Sequence, residues 1–400
     1  MMAHEYEFRL IVQHEEPFPF PFPNAKTQHV LYMKPHFRFK LGVLETKIAL
    51  KTEMVYHDGL WFKWVHSKET PYRHWKKKTH QKFLEVIGNF QCPFRKETRQ
   101  VVTLDDHAQI YTFQVANGTY RMVFEWEAHT LEPFPILLEH LNQYRNVYQH
   151  FRPYPSPPYT LNDNLSRKPV KCIPELVHSH HYVVAHKWDG IFGLVYSFQT
   201  HVMEKWEGGM RKKRPGISLG DGIVYSAEKM DKEVILLDVY QVRGHSVAAG
   251  SRYNVLMDYL PHLQLPEGYR VQEYFECAFQ LTPAQWKTDG YIIHDVVKDD
   301  IFKVKEKHSL DVVYQEGFFH VPENHFKCLE DKTTMVEGHV YEVSLENGRV
   351  LRERRDRMTG NTLEQVKNIL KNGRDWEGPP FHKTEIKMTR KQKRSNAKKI

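Results

Sequence analysis

One lysine in the sequence has the surroundings of a nucleophile. It lies in the run Lys187-Trp188-Asp189-Gly190, directly after an apolar strand candidate over residues 182–185. A lysine amine can attack an electrophile when nearby cations and partial burial lower its pKa. The four-residue pattern alone is weak evidence, because it arises by chance in roughly one chain of this length in ten. The residues that accompany it therefore decide its meaning.

Charged residues follow the lysine at the ends of short apolar runs. In chain order they are Glu228, Asp289, Lys303, Lys305, Arg354, Asp356 and Arg357. The carboxylates of Glu228 and Asp289 suit a divalent cation that neutralises developing phosphate charge. Lys303 and Lys305 share one face of a strand, because residues two apart point the same way. The late basic run can orient phosphates.

In this order the set resembles the motif series of the covalent nucleotidyltransferase superfamily, which contains mRNA guanylyltransferases and polynucleotide ligases. The resemblance spans Lys187 to Asn361. It implies that Lys187 carries the nucleotide, that Asp189 supports it, that Glu228 and Asp289 assist the metal and sugar, and that the other members act on phosphates: Lys303, Lys305, Arg354, Asp356 and Arg357.

Two positions depart from that family. The last motif ends in Asp356-Arg357, where the family usually has Asp-Lys, so the charge is kept while the geometry can differ. Capping enzymes often have an aromatic residue before the aspartate of the third strand, to stack on the base. Leu237 holds that position here, so Tyr240 or another ring must serve.

Two pairs of glutamates stand on strand candidates in the first part of the chain, Glu5 with Glu7 and Glu125 with Glu127. Residues two apart share one face of a strand. Four carboxylates on facing strands form a site for Mg²⁺ or Mn²⁺. Taken alone, a solvated strand face is favoured by roughly two to one. The position of these pairs ahead of a guanylyltransferase-like region reverses that preference.

These pairs, over roughly residues 1–130, resemble the metal-dependent RNA triphosphatases of the triphosphate-tunnel type. Glu5, Glu7, Glu125 and Glu127 match their two Glu-x-Glu motifs. The resemblance implies a closed barrel whose interior is lined by Lys and Arg. The candidates for binding a triphosphate are Lys63, Arg95 and Arg121.

The strands and helices that must position these residues can be predicted from the sequence, and together they indicate an α+β multidomain fold. Alternating and aromatic runs indicate strands over residues 1–130, and an apolar stripe indicates a helix over 135–151. A proline-rich stretch over 153–158 marks a boundary. Near the end, Asn361 with Glu364 three residues later predicts a capped amphipathic helix that stops at Gly373.

We therefore predict five segments. Residues 1–152 form a triphosphatase-like tunnel with a closing helix, 153–170 a proline-rich linker, and 171–309 a nucleotidyltransferase domain with antiparallel sheets. The resemblance implies an OB-type domain over 310–385, and 386–400 form a basic tail. The formal net charge is +8, and seven Lys or Arg lie in that tail, so the rest of the chain carries +1.

Other features narrow the setting of the protein. No apolar stretch is long enough to cross a bilayer, and the first residues lack the apolar core of a signal peptide. The four cysteines form no Cys-x-x-Cys pair, which fits a reducing compartment. We expect a cytoplasmic or nuclear protein that is not secreted. The run Arg211-Lys212-Lys213-Arg214 could contact RNA, but a solvated basic loop is at least as favoured.

Together the two regions resemble viral mRNA-capping enzymes of the late expression factor four type, from baculoviruses and nudiviruses. The resemblance implies RNA 5′-triphosphatase and guanylyltransferase activities, Mg²⁺ or Mn²⁺, GTP and 5′-triphosphate or diphosphate RNA as substrates, subunits of a viral RNA polymerase as partners, and the host nucleus as location. An ATP-dependent polynucleotide ligase is one alternative. A polymerase subunit that binds RNA without catalysis is the other.

Overall fold

The computed structural model describes residues 3–14, 24–33, 36–88, 94–115, 118–149, 151, 159–162, 165, 167–168, 170–172, 181–209, 211–277, 280–304, 309–329, 332–355, 357–372 and 382–383. Over these residues the chain is mostly β, with few helices. Lys305, Asp356, most of the predicted linker, the predicted helix stop at Gly373 and the whole basic tail lie outside the described residues.

The first part of the chain forms a closed antiparallel barrel, as predicted. Its strands are β1 (Ala3–His14), β2 (Lys26–Met33), β3 (Phe37–Lys40), β4 (Val43–His57), β5 (Leu60–Pro71), β6 (Phe94–Thr103), β7 (Ala108–Gln114) and β8 (Tyr120–Ala128). They pair in the order β1-β5-β4-β3-β2-β6-β7-β8, and β8 closes on β1. Helix α1 (Lys77–Gly88) connects β5 to β6, and α1, β4 and β6 were not anticipated from the sequence.

The alternation of residue types along the strands determines the two faces of the barrel. On β1, Tyr6 and Phe8 point outward into an apolar core, while Glu5, Glu7 and Arg9 point inward. The outer core lies beneath two short helices, α2 (Phe134–Asn142) and α3 (Arg145–Tyr148). The single helix predicted over 135–151 is therefore divided into two.

The middle of the chain forms two further sheets. They contain β9 (Val170–Cys172), β10 (Tyr182–Trp188), β11 (Ile191–Ser197), β12 (His201–Trp206), β13 (Arg211–Pro215), β14 (Ile223–Lys229), β15 (Val234–Val242), β16 (His245–Ser246), β17 (Tyr269–Val271), β18 (Thr288–Asp295) and β19 (Asp300–Val304). One sheet has the order β10-β18-β19-β9 and the other β13-β12-β11-β14-β15-β16, with β17 beside β15. Most pairs are antiparallel; β9 and β17 pair in parallel. Short helix α4 (Arg252–Asn254) follows β16.

A six-stranded antiparallel sheet follows. It contains β20 (Ser309–Gln315), β21 (Phe318–Val321), β22 (Asn324–Lys327), β23 (Val340–Ser344), β24 (Val350–Glu353) and β25 (His382–Lys383), in the order β24-β23-β20-β21-β22-β25. Helix α5 (Leu363–Asn372) packs Val366 and Ile369 against its core.

The cap of α5 differs from the prediction by one residue. Thr362 Oγ1 accepts the N–H of Gln365 at 3.3 Å, and Gln365 Oε1 accepts the N–H of Thr362 at 2.9 Å. This reciprocal pair is a capping box. Asn361 instead accepts the N–H of Asp311 at 2.7 Å, and so fastens the start of the helix to β20.

The barrel and the middle sheets share one apolar core at the β4–β5 hairpin. Met54 and Tyr56 on β4 lie opposite Lys63 and Trp61 on β5, so they continue the inward-facing rows of the barrel. Their side chains nevertheless pack in the core of the middle sheets. The N–H of Ala248 also donates to the carbonyl of Met54 at 2.8 Å. The two parts are therefore joined by side chains as well as by the chain.

None of the helices in the described part of the chain has the length and apolar character that crossing a bilayer requires.

Candidate functional site

Lys187 lies near the end of β10, where the pairing with β18 slips between His186 and Trp188. Its Nζ is 2.8 Å from Oδ2 of Asp289, and both side chains are about four-fifths buried (19% and 23% exposed). The slip in register allows this lysine to leave the regular pleat. Two residues 102 positions apart in the chain are thus in direct contact, which the sequence did not predict.

Glu228, at the end of β14, faces the turn that follows Lys187. Its Oε1 accepts the N–H of Gly190 at 3.1 Å, and its side chain is buried. Burial raises the pKa of Glu228 to about 7, although Arg167 and Lys187 oppose the increase. A Cβ on Gly190 would lie 2.5 Å from the carbonyl oxygen of Lys229, so only glycine permits this approach.

Asp189 connects the Lys187 turn to the last sheet. Its Oδ1 is 2.7 Å from Nη1 of Arg352 on β24, and its Oδ2 is 2.7 Å from Nζ of Lys287. Burial alone would raise the pKa of Asp189, but Lys287 and Arg352 outweigh it and hold the pKa below its ordinary value. Arg352 is a site residue that the sequence did not single out within its basic run.

The two arginines predicted to act on phosphates face carboxylates of the last sheet. Asp311 on β20 binds Arg354 at 3.2 Å and Arg357 at 2.6 Å. Arg354 also lies 3.6 Å from Glu342. Lys303 is partly buried on β19, opposite Ile292 of β18. The arrangement gathers the late basic residues in the last sheet and ties that sheet to the Lys187 turn through Arg352.

Tyr240, the ring suggested for base stacking, lies in a core. It packs with Phe192 and Tyr196, and its Oη accepts the backbone N–H of Lys168 at 3.0 Å. Leu237 packs against the same cluster. The base-stacking assignment therefore stays a prediction.

A network of buried charged residues around Asp238 was not predicted from the sequence. Arg252, which is 1% exposed, donates from Nη1 to Oδ1 of Asp238 at 2.7 Å. Lys168 lies 3.2 Å from Asp238 and 2.8 Å from Asp299, and His294 lies 2.8 Å from Asp299. Asp238, His294 and Asp299 are close enough to hold a metal, but Arg252 and Lys168 already neutralise the two carboxylates. No local sequence pattern connects these five residues.

Three of the four predicted barrel glutamates meet inside the barrel. Carboxylate oxygens of Glu5, Glu7 and Glu127 lie within 4.8 Å of one another. Lys47 of β4 contacts Glu5 and lies 2.7 Å from Glu7 and 2.9 Å from Glu69. Burial, together with hydrogen bonding and repulsion from Glu5, raises the pKa of Glu127 to about 9. Such a crowded acidic group favours a bound cation.

The fourth glutamate is engaged differently. Glu125 is 2.7 Å from Nε of Arg9, accepts Nε2 of Gln109 at 2.6 Å and accepts the hydroxyl of Tyr111 at 3.2 Å. Burial would raise the pKa of Glu125, but the Arg9 guanidinium outweighs it and lowers the pKa to about 2. Glu125 is not part of the Glu5, Glu7 and Glu127 group.

The predicted basic residues also lie on the inward rows of the barrel. Lys63 is opposite Arg9 across β5 and β1, and burial together with Arg9 lowers its pKa. Burial and Arg95 likewise lower the pKa of Arg121. Arg95 lies 2.6 Å from Glu97, with its side chain 59% exposed. Arg99, another basic strand position of the sequence, also lies in this interior, together with Arg9 and Lys47, which the sequence did not single out.

Comparison with known families gives one match. Residues 262–361 match the family model of Late expression factor 4 (LEF-4). A search of curated proteins gives no match. The matched segment contains Asp289, Lys303, Arg354 and Arg357, and it ends at Asn361. It does not include Lys187, Glu228 or the barrel.

Proposed function

We propose that this chain, whose match to Late expression factor 4 supports its identification as the late expression factor four type, is an mRNA-capping enzyme with two active sites. The observation that carries the proposal is the contact between Lys187 and Asp289, with Glu228 and Gly190 beside it. Separate parts of the chain bring together an amine that can act as a nucleophile and two carboxylates that can hold a divalent cation, beside a glycine that allows close approach.

The guanylyltransferase reaction proceeds in two displacements. Lys187 Nζ attacks the α-phosphorus of GTP, a P–N bond forms, and the bond to the β-phosphate oxygen breaks to release pyrophosphate. Asp289 is 2.8 Å from the amine and can receive its proton. A terminal oxygen of diphosphate RNA then attacks the same phosphorus, the P–N bond breaks, and the amine regains a proton.

The last sheet acts as a closure element in this proposal, in the role of an OB-type domain. Arg352 already joins it to Asp189 beside the nucleophile. Arg354 and Arg357 would exchange their contacts with Asp311 for the β- and γ-phosphates of GTP. We expect Lys303 and Lys305 to act on the α-phosphate.

The barrel supplies the substrate by removing the γ-phosphate of triphosphate RNA. Glu5, Glu7 and Glu127 would hold Mg²⁺ or Mn²⁺, with Glu125 orienting Arg9 beside them. Oε2 of Glu7 is buried and accepts no hydrogen bond from the described residues, as expected of an oxygen that would bind the cation. The cation would supply charge neutralisation at the γ-phosphate, and Lys63, Arg95 and Arg121 would hold the phosphate chain.

Covalent labelling tests the second site. Wild-type protein incubated with α-labelled GTP and Mg²⁺ or Mn²⁺ should become labelled, and Lys187→Ala should not. Lys77→Ala, on the exposed surface of α1, is the matched control. Labelling by ATP but not by GTP would favour the ligase alternative. RNA binding with neither labelling nor phosphate release would favour the inactive polymerase subunit.

Release of γ-phosphate tests the first site. Glu7→Ala should lose release from triphosphate RNA and keep labelling by GTP, whereas Lys187→Ala should show the reverse. Unchanged release in Glu7→Ala would refute the barrel assignment. A viral RNA polymerase as partner and the host nucleus as location follow from the resemblance alone, and co-purification of polymerase subunits with the tagged chain tests the partnership.

A further inference from the structure

Strand β13 is an edge strand with an unusual row of cations. It begins Arg211-Lys212-Lys213, all exposed, and it pairs only with β12 among the described strands. Within the described part of the chain these three side chains form no ion pair. Arg214 differs, because it lies 2.5 Å from the buried Glu204. The basic run is thus strand and not loop, and its first three residues are not used by the fold.

The register places this row at the same end of the sheet as the nucleophile. Arg211 lies opposite Lys205 near the end of β12. The turn that follows β12 is also hydrogen-bonded to β11, because the N–H of Glu207 donates to the carbonyl of Phe192 at 2.9 Å. Phe192 in turn lies opposite Glu228. At about 4.8 Å per strand, β13 is roughly 10 Å from β11, which begins directly after the Lys187 turn.

The row also shares a face with Glu228. Residues opposite one another in an antiparallel pair point the same way, and so do residues two apart along a strand. Arg211 lies opposite Lys205, Lys205 lies opposite Leu194, and Leu194 lies opposite Ser226, so these side chains share one face of the sheet. Glu228 is two residues beyond Ser226 on β14 and therefore lies on the same face. Lys213 lies on this face as well.

We propose that Arg211 and Lys213, beside Lys205, bind the sugar-phosphate backbone of the RNA whose 5′ end reaches Lys187. This inference rests on the proposed capping function and names the surface that holds its RNA substrate. A single edge-strand cation is enough to discourage strand pairing. Arg211 lies directly opposite Lys205 across the β12–β13 pair, so a polyanion bound to this face would contact both side chains.

The strength of this contact follows from counterion release. For single strands, the logarithm of the binding constant falls by about 0.7 per phosphate for each tenfold rise in salt. Losing two contacts should lower the salt slope by about 1.4 and weaken binding about 25-fold at roughly 0.1 M salt. The loss should not depend on RNA sequence, since phosphates carry no sequence information.

The test compares Arg211→Ala/Lys213→Ala with wild type and with Lys77→Ala/Lys78→Ala, whose residues are equally exposed on α1. Labelling by α-labelled GTP measures the nucleophile, and a salt titration of binding to a 5′-diphosphate oligonucleotide measures the surface. The inference expects normal labelling, the smaller slope, and slower GMP transfer at low RNA concentration. Arg211→Lys/Lys213→Arg should restore binding.

Failure of the inference and failure of the function are distinguishable. If wild-type protein is not labelled at all, the capping function itself is wrong. If labelling is normal and the double variant binds RNA with the wild-type affinity and slope, β13 does not bind RNA. Loss of a protein partner with unchanged RNA affinity would equally overturn the inference.

Discussion

Replacing Glu228 with glutamine should stabilise the protein at alkaline pH while removing the proposed nucleotidyl transfer. The Glu228 carboxylate is buried on β14, and its Oε1 accepts a hydrogen bond from the N–H of Gly190 at 3.1 Å. The oxygen of a side-chain amide could accept the same bond. Glutamine can keep that bond through its own Oε1 and carries no charge to desolvate. The activity should fall because an amide oxygen is a poor ligand for the divalent cation.

The size of the effect follows from the pKa. Burial raises the pKa of Glu228 from 4.5 to about 7. The folded state therefore binds this proton more tightly than the unfolded state does. The resulting stability is fully present below about pH 4.5 and is lost as the pH rises to about 7. At about 1.36 kcal/mol per pKa unit, the difference between the unfolded and folded pKa values corresponds to about 3 kcal/mol of folding stability.

Urea unfolding in the presence of a chelator, from pH 4 to pH 8, measures this difference. Glu228→Gln and wild type should have similar midpoints at the acid end, and the variant should exceed wild type by up to about 3 kcal/mol at the alkaline end. Glu267→Gln, at an exposed position, should show no such trend. A difference that stays constant with pH, or a less stable variant at pH 8, would refute the burial argument.

Three more predictions concern the buried network, the glycine turn and the barrel. Arg252→Met should lower the free energy of unfolding by about 3–5 kcal/mol, because Asp238 would keep a buried charge without its main partner; denaturant unfolding checks this, and no loss would contradict it. Gly190→Ala should abolish labelling by GTP but leave γ-phosphate release intact, since its Cβ would lie 2.5 Å from a backbone oxygen. Mn²⁺ at 100 times its dissociation constant should stabilise the wild-type barrel by about 2.7 kcal/mol, and Glu7→Gln should remove most of that gain in thermal unfolding.

The sequence indicated the chemistry wherever it was local or followed a fixed order. Glu5 and Glu7 share a face because of the pleat, and the order of the motifs assigned Lys187 and Asp289 to one site, although their direct contact was not predicted. The alternating runs indicated strands, and the closed barrel was implied by the resemblance that the paired acids carry. Arg9 continues the same alternation two residues after Glu7, so it could have been recognised as an inward-facing cation.

Other features depend on contacts that no local pattern encodes. Arg252, at the start of α4, reaches Asp238 on β15, and Lys168 joins them from far upstream. Which glutamates meet in the barrel is decided by register: Glu7 lies opposite Glu127, whereas Arg9 lies opposite Glu125 and pairs with it. The shift of the α5 cap from Asn361 to Thr362 reflects a tertiary hydrogen bond to β20.

The β4–β5 hairpin joins the barrel to the middle sheets more closely than two separate proposed activities would suggest. Met54 and Tyr56 belong by register to the barrel and by packing to its neighbour, so each part completes the other's interior. A barrel expressed alone would present these side chains to water and would tend to aggregate. The proline-rich stretch marks a boundary in the sequence, whereas the two parts of the fold share one apolar core at the β4–β5 hairpin. Transplanting the barrel or the middle sheets into another protein would require rebuilding that hairpin.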